Sequence, residues 1–188
     1  MKKSCVIVIA LIIVFGLTGC AIPQIPGMEA VEETKETQES PDVGKEIEQF
    51  GFVFKVPPGI TKNTIDRMFY DMDFGDVGKR EAFISLVEPE DVGSKTASEM
   101  SEQMYAMATE KFADLENVVR ETRTFGGQQA EYIGLDCNLS GLATNWQMYM
   151  IVSNGKLYSV TIHIFKDSVT EDTLKAIDEF VNGIRFVG

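Results

Sequence analysis

NWQMYMIVSNGKLYSVTIHIF, the run from Asn145 to Phe165, decides the fold. Two runs rich in apolar, aromatic and β-branched residues flank Asn154-Gly155. That dipeptide accepts the left-handed backbone of a two-residue hairpin turn. Asn145–Val152 and Lys156–Phe165 therefore read as antiparallel neighbours. Upstream, Val118 to Phe125 passes through Gly126-Gly127 into Ala130 to Cys137, a second hairpin. Downstream, Ser168-Val169-Thr170-Glu171 has capping-box spacing and opens a last helix, with Leu174, Ile177, Val181 and Ile184 as its expected buried stripe.

The chain before these hairpins alternates in the same way. Phe50, Phe52, Phe54 and Val56 alternate with Gly51, Val53 and Lys55, a strand that Pro57-Pro58-Gly59 ends because proline has no N–H for the ladder. Met68, Tyr70, Met72 and Phe74 line one face of a second strand, and Glu81 to Val87 is a third beyond Gly75 and Gly78. Ser94 to Leu115 reads as the first helix, since Ala97, Met100, Met104, Ala108, Phe112 and Leu115 recur at three- and four-residue steps. The order is three strands, a helix, four strands and a helix, with no parallel βαβ crossover and no internal repeat. That pattern predicts a single α+β domain, an antiparallel β-sheet with two main helices near 95–114 and 169–183 packed on it.

The first twenty residues carry an address. Lys2 and Lys3 precede an apolar run from Cys5 to Phe15, too short to span a bilayer and suited to a signal peptide. The run closes on Leu17-Thr18-Gly19-Cys20, which resembles the lipobox of bacterial lipoproteins. That resemblance implies cleavage before Cys20, a diacylglycerol on its thiol, and anchoring on the outer side of a cytoplasmic membrane or within a Gram-negative envelope. Residues 1–19 are then the signal, and 20–47 an acidic tether broken by Pro23, Pro26 and Pro41. The domain is expected over 48–188, and a chain starting at Ile47 is expected to be as stable as the longer one.

Several residues of this domain resemble the PsbP-like (DcrB-like) family. They are the aromatic first strand running into Phe54-Lys55-Val56-Pro57-Pro58-Gly59, the mid-chain helix, the Gly126-Gly127-Gln128-Gln129-Ala130 turn, and the close on Ile184-Arg185-Phe186. The resemblance implies an α/β/α sandwich that binds or assists other proteins. It supplies no catalytic residues.

Composition narrows the function further. In 188 residues, 17 basic side chains face 29 acidic ones, a formal charge of −12 that repels phosphate backbones and excludes nucleic acid as a partner. His163 is the one histidine, and no Gly-x-Ser-x-Gly elbow surrounds a serine, so a hydrolase triad is not expected. Cys137 reads as a small buried hydrophobe. Asp71, Asp73 and Asp76 suggest calcium, but Asp76 stands where the loop glycine belongs and Ala82 where the closing glutamate belongs. No metal, no cofactor and no enzymatic activity are expected. What remains is alternation: Arg120, Thr122 and Thr124 share one parity, as do Asn145, Gln147 and Tyr149, and Ser159, Thr161 and His163. If these parities meet on one side they form a polar face, with Arg120, Gln147, Tyr149 and His163 as the partner-binding candidates. The same parities suit a merely solvated sheet face. The sequence thus points to an envelope binding or accessory module, with a small-ligand carrier and a hydrolytic enzyme as alternatives.

Overall fold

The structure is a computed structural model and describes residues 39–76 and 79–188. Cys20, the signal and most of the tether lie outside the described residues. The chain runs through β1 (Glu46–Gln49), β2 (Phe52–Lys55), β3 (Ile60–Ile65), β4 (Phe69–Phe74), β5 (Ala82–Asp91), α1 (Ala97–Lys111), β6 (Ala113–Phe125), β7 (Gln128–Leu139), β8 (Leu142–Ser153), β9 (Lys156–Phe165), α2 (Glu171–Gly183) and β10 (Arg185–Phe186). Seven strands form one antiparallel sheet in the order β3-β4-β5-β9-β8-β7-β6, and β1-β2-β10 form a small second sheet. The α+β reading holds: two helices pack on a large antiparallel sheet.

The Asn154-Gly155 turn is as expected, both residues being left-handed at φ 51° and 75°, with Ser153 opposite Lys156. Ser140-Gly141 makes an equivalent left-handed turn between β7 and β8.

One face of the large sheet carries the main core. Tyr70, Met72, Ile84, Leu86, Val160 and Ile162 lie there, under α2 and the small sheet. Phe54 bridges the layers, with ring centroids 5.5 Å from Tyr70 and 5.4 Å from Phe180 of α2. Phe52 does the same between Phe125, Tyr158 and Phe186. The opposite face carries α1 over β7 and β8, where Phe112 meets Trp146 edge-on at 5.7 Å.

Four expectations need correction. The first helix ends at Lys111, short of Leu115: Phe112 is already extended, and Ala113 pairs with Asn138. Its start is capped by Thr96 and Glu99, each bonding the other's backbone N–H. The last helix is capped by Thr170 and not by Ser168, whose hydroxyl turns instead to the carbonyls of Arg80 and Phe165. Its buried stripe is Thr173, Ala176, Ile177 and Phe180, with Ile184 following, while Leu174 is 39% exposed. Finally, the first strand is a hairpin, β1 and β2 joined at left-handed Phe50-Gly51. The chain just before it packs too: Ser40 is buried and donates its N–H to Ile60, and Gly44 and Lys45 bracket Val56 by backbone hydrogen bonds.

Candidate functional site

Register places the four candidate residues on two faces. Gln147 lies opposite Ile162 and Tyr149 opposite Val160, so both share the α2 face. Arg120 lies opposite Ile133, and His163 opposite Phe83 and Trp146, on the α1 face. The polar face expected from parity therefore does not assemble. The signal was available in the turn itself: a two-residue loop pairs Ser153 with Lys156, so odd positions of β8 share a face with even positions of β9.

Each candidate has its own partners. Arg120 reaches across to α1, 2.5 Å from Glu102 and 4.7 Å above the Tyr105 ring. Tyr149 is core, 5% exposed and stacked on Phe125 at 4.2 Å. Gln147 donates to Asn145 at 2.8 Å, and Asn145 to Asp136 at 2.8 Å. Asn117 and Lys166 complete that set around Asp136 at 2.7 and 3.0 Å. Burial raises the pKa of Asp136, but the donors from Asn145, Asn117 and Lys166 outweigh it and hold the carboxyl below its ordinary value. This network satisfies its own members.

His163 belongs to a different group. Two rows of side chains cross the α1 face beside the helix: Asp71, Ser85 and Thr161 in one, Asp73, Phe83 and His163 in the next. Arg80 pairs with Asp73, its Nη2 lying 2.6 Å from Oδ1 and 2.7 Å from Oδ2, and only the second contact is aligned as a hydrogen bond. The same guanidinium lies 4.9 Å over Phe83, and Phe83 stacks on His163 at 4.0 Å. His163 keeps an exposed margin, yet its Nδ1 is out of contact with water and has no hydrogen-bond partner. Asp71 Oδ1 is in the same position.

Electrostatics follow from this burial. The imidazole is pushed down to about 3 by burial, with the Arg80 charge adding to it, so His163 is neutral across the physiological range. Burial also raises the Asp71 carboxyl, against the hydrogen bond from Ser85 and with the repulsion of Asp73 and Asp66. A serine, a histidine and two aspartates thus share one face, but not as a relay. Ser85 stands opposite Asp71 rather than beside His163, and Phe83 stands between Asp73 and His163. This patch of sheet face holds an unmatched carboxylate oxygen and an unmatched imidazole nitrogen beside the Phe83 ring, an arrangement for hydrogen-bonding a ligand. Among the described residues no three His, Cys, Asp or Glu side chains converge as a metal ion requires.

A concavity lies on the other side of the sheet. A cavity of about 430 Å³ opens between the end of β2 and α2, lined by Val43, Val56, Pro57, Pro58 and Phe180, with Lys55 and Glu179 among its other lining residues.

No protein-family model and no curated protein matches the sequence. Solved structures do match in shape. LpqN of Mycobacterium tuberculosis, described as involved in cell envelope biogenesis, superposes with a TM-score of 0.50 at 13% identity, covering 73% of this chain and 83% of that one. A crystal structure from Bacteroides thetaiotaomicron gives a TM-score of 0.50 at 10% identity over 76% of this chain, but this chain spans only 48% of that one. The cyanobacterial PsbP of Synechocystis sp. PCC 6803 (CyanoP) gives a TM-score of 0.49 at 16% identity, covering 72% and 86% of the two chains. At such identities, likeness to LpqN and to the Bacteroides protein shows the fold alone.

Proposed function

We propose that this protein is a non-enzymatic accessory module of the cell envelope, held at the extracytoplasmic side of a membrane through Cys20. It binds a protein partner at the patch of sheet face formed by Asp71, Asp73, Ser85, Thr161 and His163. The observation that carries the reading is the pair of buried, unpartnered atoms, Asp71 Oδ1 and His163 Nδ1, on one stretch of sheet face. Each such atom costs about 1–3 kcal/mol while unmatched, and turning the two side chains outward to hydrogen-bond a partner removes that cost on binding. The lipobox supports the address, and the envelope role stated for LpqN, a protein of similar fold, agrees with it.

Two measurements test the reading. A photo-activatable residue at Thr161 should give a discrete protein adduct in intact cells, and one at Lys175, exposed on α2, should not. Equal labelling from both positions, or none from Thr161, refutes this patch as the binding face. Mass spectrometry of the mature N-terminus should find an acylated Cys20, and normal processing of Cys20→Ala refutes the anchor.

The small-ligand alternative has one observation of its own, the largely apolar cavity beside Phe180. It predicts that a fluorescent acyl-chain probe binds the full chain and that Val56→Trp, which fills the cavity, abolishes the signal.

A further inference from the structure

The sheet has two edges, and β6 is the longer, with Ala113–Phe125 on the rim. An edge strand presents unpaired N–H and C=O groups, and natural proteins blunt such edges with bulges, charges or a covering element. Here the bulges are confined to the first half. The register with β7 slips between Ala113 and Glu116 and again between Glu116 and Val119, where Asp114 and Asn117 take left-handed backbone. From Val119 to Phe125 the pairing is regular, and among the described residues no backbone group of this half bonds to anything beyond the β7 ladder.

The charges along this regular half are self-complementary. Glu121 and Arg123 lie on the same sheet face, opposite Tyr132 and Ala130 of β7, and flank Thr122. A second copy pairing antiparallel about a two-fold axis at Thr122 sets Glu121 of each chain opposite Arg123 of the other. Val119 then faces Phe125, and Arg120 faces Thr124. Axes at Glu121 or at Arg123 instead set like charges against each other, which is destabilising. Both charged side chains are accessible, at 49% and 38% exposure, and pair with each other along the strand at 2.6 Å, a contact that a cross-strand pair can replace while the Arg123 guanidinium stays over the Tyr132 ring. A two-fold interface must be self-complementary in this sense.

We infer that β6 is a self-association edge: two copies of this chain pair through Val119–Phe125, antiparallel about Thr122, into one continuous sheet. This is independent of the Asp71–His163 patch, which lies on β4, β5 and β9, and leaves that surface free in the dimer.

The test uses the full chain in detergent solution. Sedimentation equilibrium from micromolar to hundreds of micromolar should show a reversible monomer–dimer equilibrium. Glu121→Arg, which turns both cross-strand pairs repulsive, should raise the dissociation constant about tenfold. Adding Arg123→Glu should restore dimerisation. Because Arg123 lies 3.5 Å over the Tyr132 ring, the double variant is read only if its thermal melt stays cooperative. A second measurement does not depend on that variant. Thr122→Cys should cross-link to itself through a short bismaleimide, whereas Thr64→Cys on the β3 edge and the unsubstituted chain should not. A monomer at every concentration, a dimer indifferent to Glu121→Arg, or no cross-link at position 122 overturns the inference. So does stoichiometric recovery of a different protein's strand on this edge without self-association.

Discussion

Asp71 sits in a site that resists its charge. Burial is the main reason, and its carboxyl is held above the ordinary value of 3.8. The folded protein therefore binds that proton more tightly than the unfolded chain, and the penalty appears only as pH rises past 3.8 towards the raised folded value. Asp71→Asn keeps an acceptor for Ser85 and removes the charge. It should raise the denaturant midpoint at neutral pH, and the gain should vanish below about pH 3.8, where both chains are uncharged at this position. A variant less stable at neutral pH would show that the carboxylate is needed for folding. Four residues of this patch were individually legible, Thr161 and His163 as one parity, Asp71 and Asp73 as a carboxylate pair, and Ser85 was not. Their meeting was not, because β5 pairs with β9 across a helix and three strands, and nothing local encodes that contact.

At the scale of elements, α2 shows where periodicity misleads. Leu174 has helical spacing with Ile177 and Val181, but the stripe is set by what the helix lies on. Phe54 and the sheet take Ala176, Ile177 and Phe180, and rotate Leu174 outward. Thr173 turns inward in its place because Glu81, a buried carboxylate just before β5, accepts from the hydroxyls of Thr170 and Thr173 at 2.8 and 2.7 Å and from the Thr170 N–H at 3.1 Å. No sequence rule links Glu81 to a helix cap ninety residues away. Burial raises the Glu81 pKa, but the Thr173 and Thr170 bonds more than offset it, and the carboxyl is held below its ordinary 4.5. The stabilisation is thus complete above pH 4.5 and is lost as pH falls through the lower folded value. Glu81→Gln should cost about 1–3 kcal/mol at neutral pH and flatten the loss of stability on acidification, both read from urea melts at several pH values. An unchanged acid limb would assign that loss to other carboxylates. Two hairpins were legible, since Asn154-Gly155 and Gly126-Gly127 fix both turn and partner within a few residues, whereas the Phe50-Gly51 turn sits inside an unbroken alternation and reads as one strand.

For the whole molecule, the lower boundary of the domain is the feature that composition hid. Residues 39–47 have the polar, proline-interrupted character of a tether, yet Ser40, Gly44 and Lys45 bond the backbones of Ile60 and Val56, and β1 starts at Glu46. A chain starting at Ile47 should therefore melt several degrees below one starting at Glu39, and equal melting temperatures would place these residues outside the folding unit. In the function proposed above, the Asp71–His163 patch is kept unsatisfied for a partner, so that stability and binding oppose each other there. His163→Phe tests it most directly, because it preserves the stack on Phe83 and removes the unpartnered Nδ1. The variant should melt about 2–4 °C higher for each kcal/mol gained, and should lose the protein adduct formed from a photo-activatable residue at Thr161 in cells. A lower melting temperature, or an adduct formed at the unsubstituted chain's yield, would contradict the account.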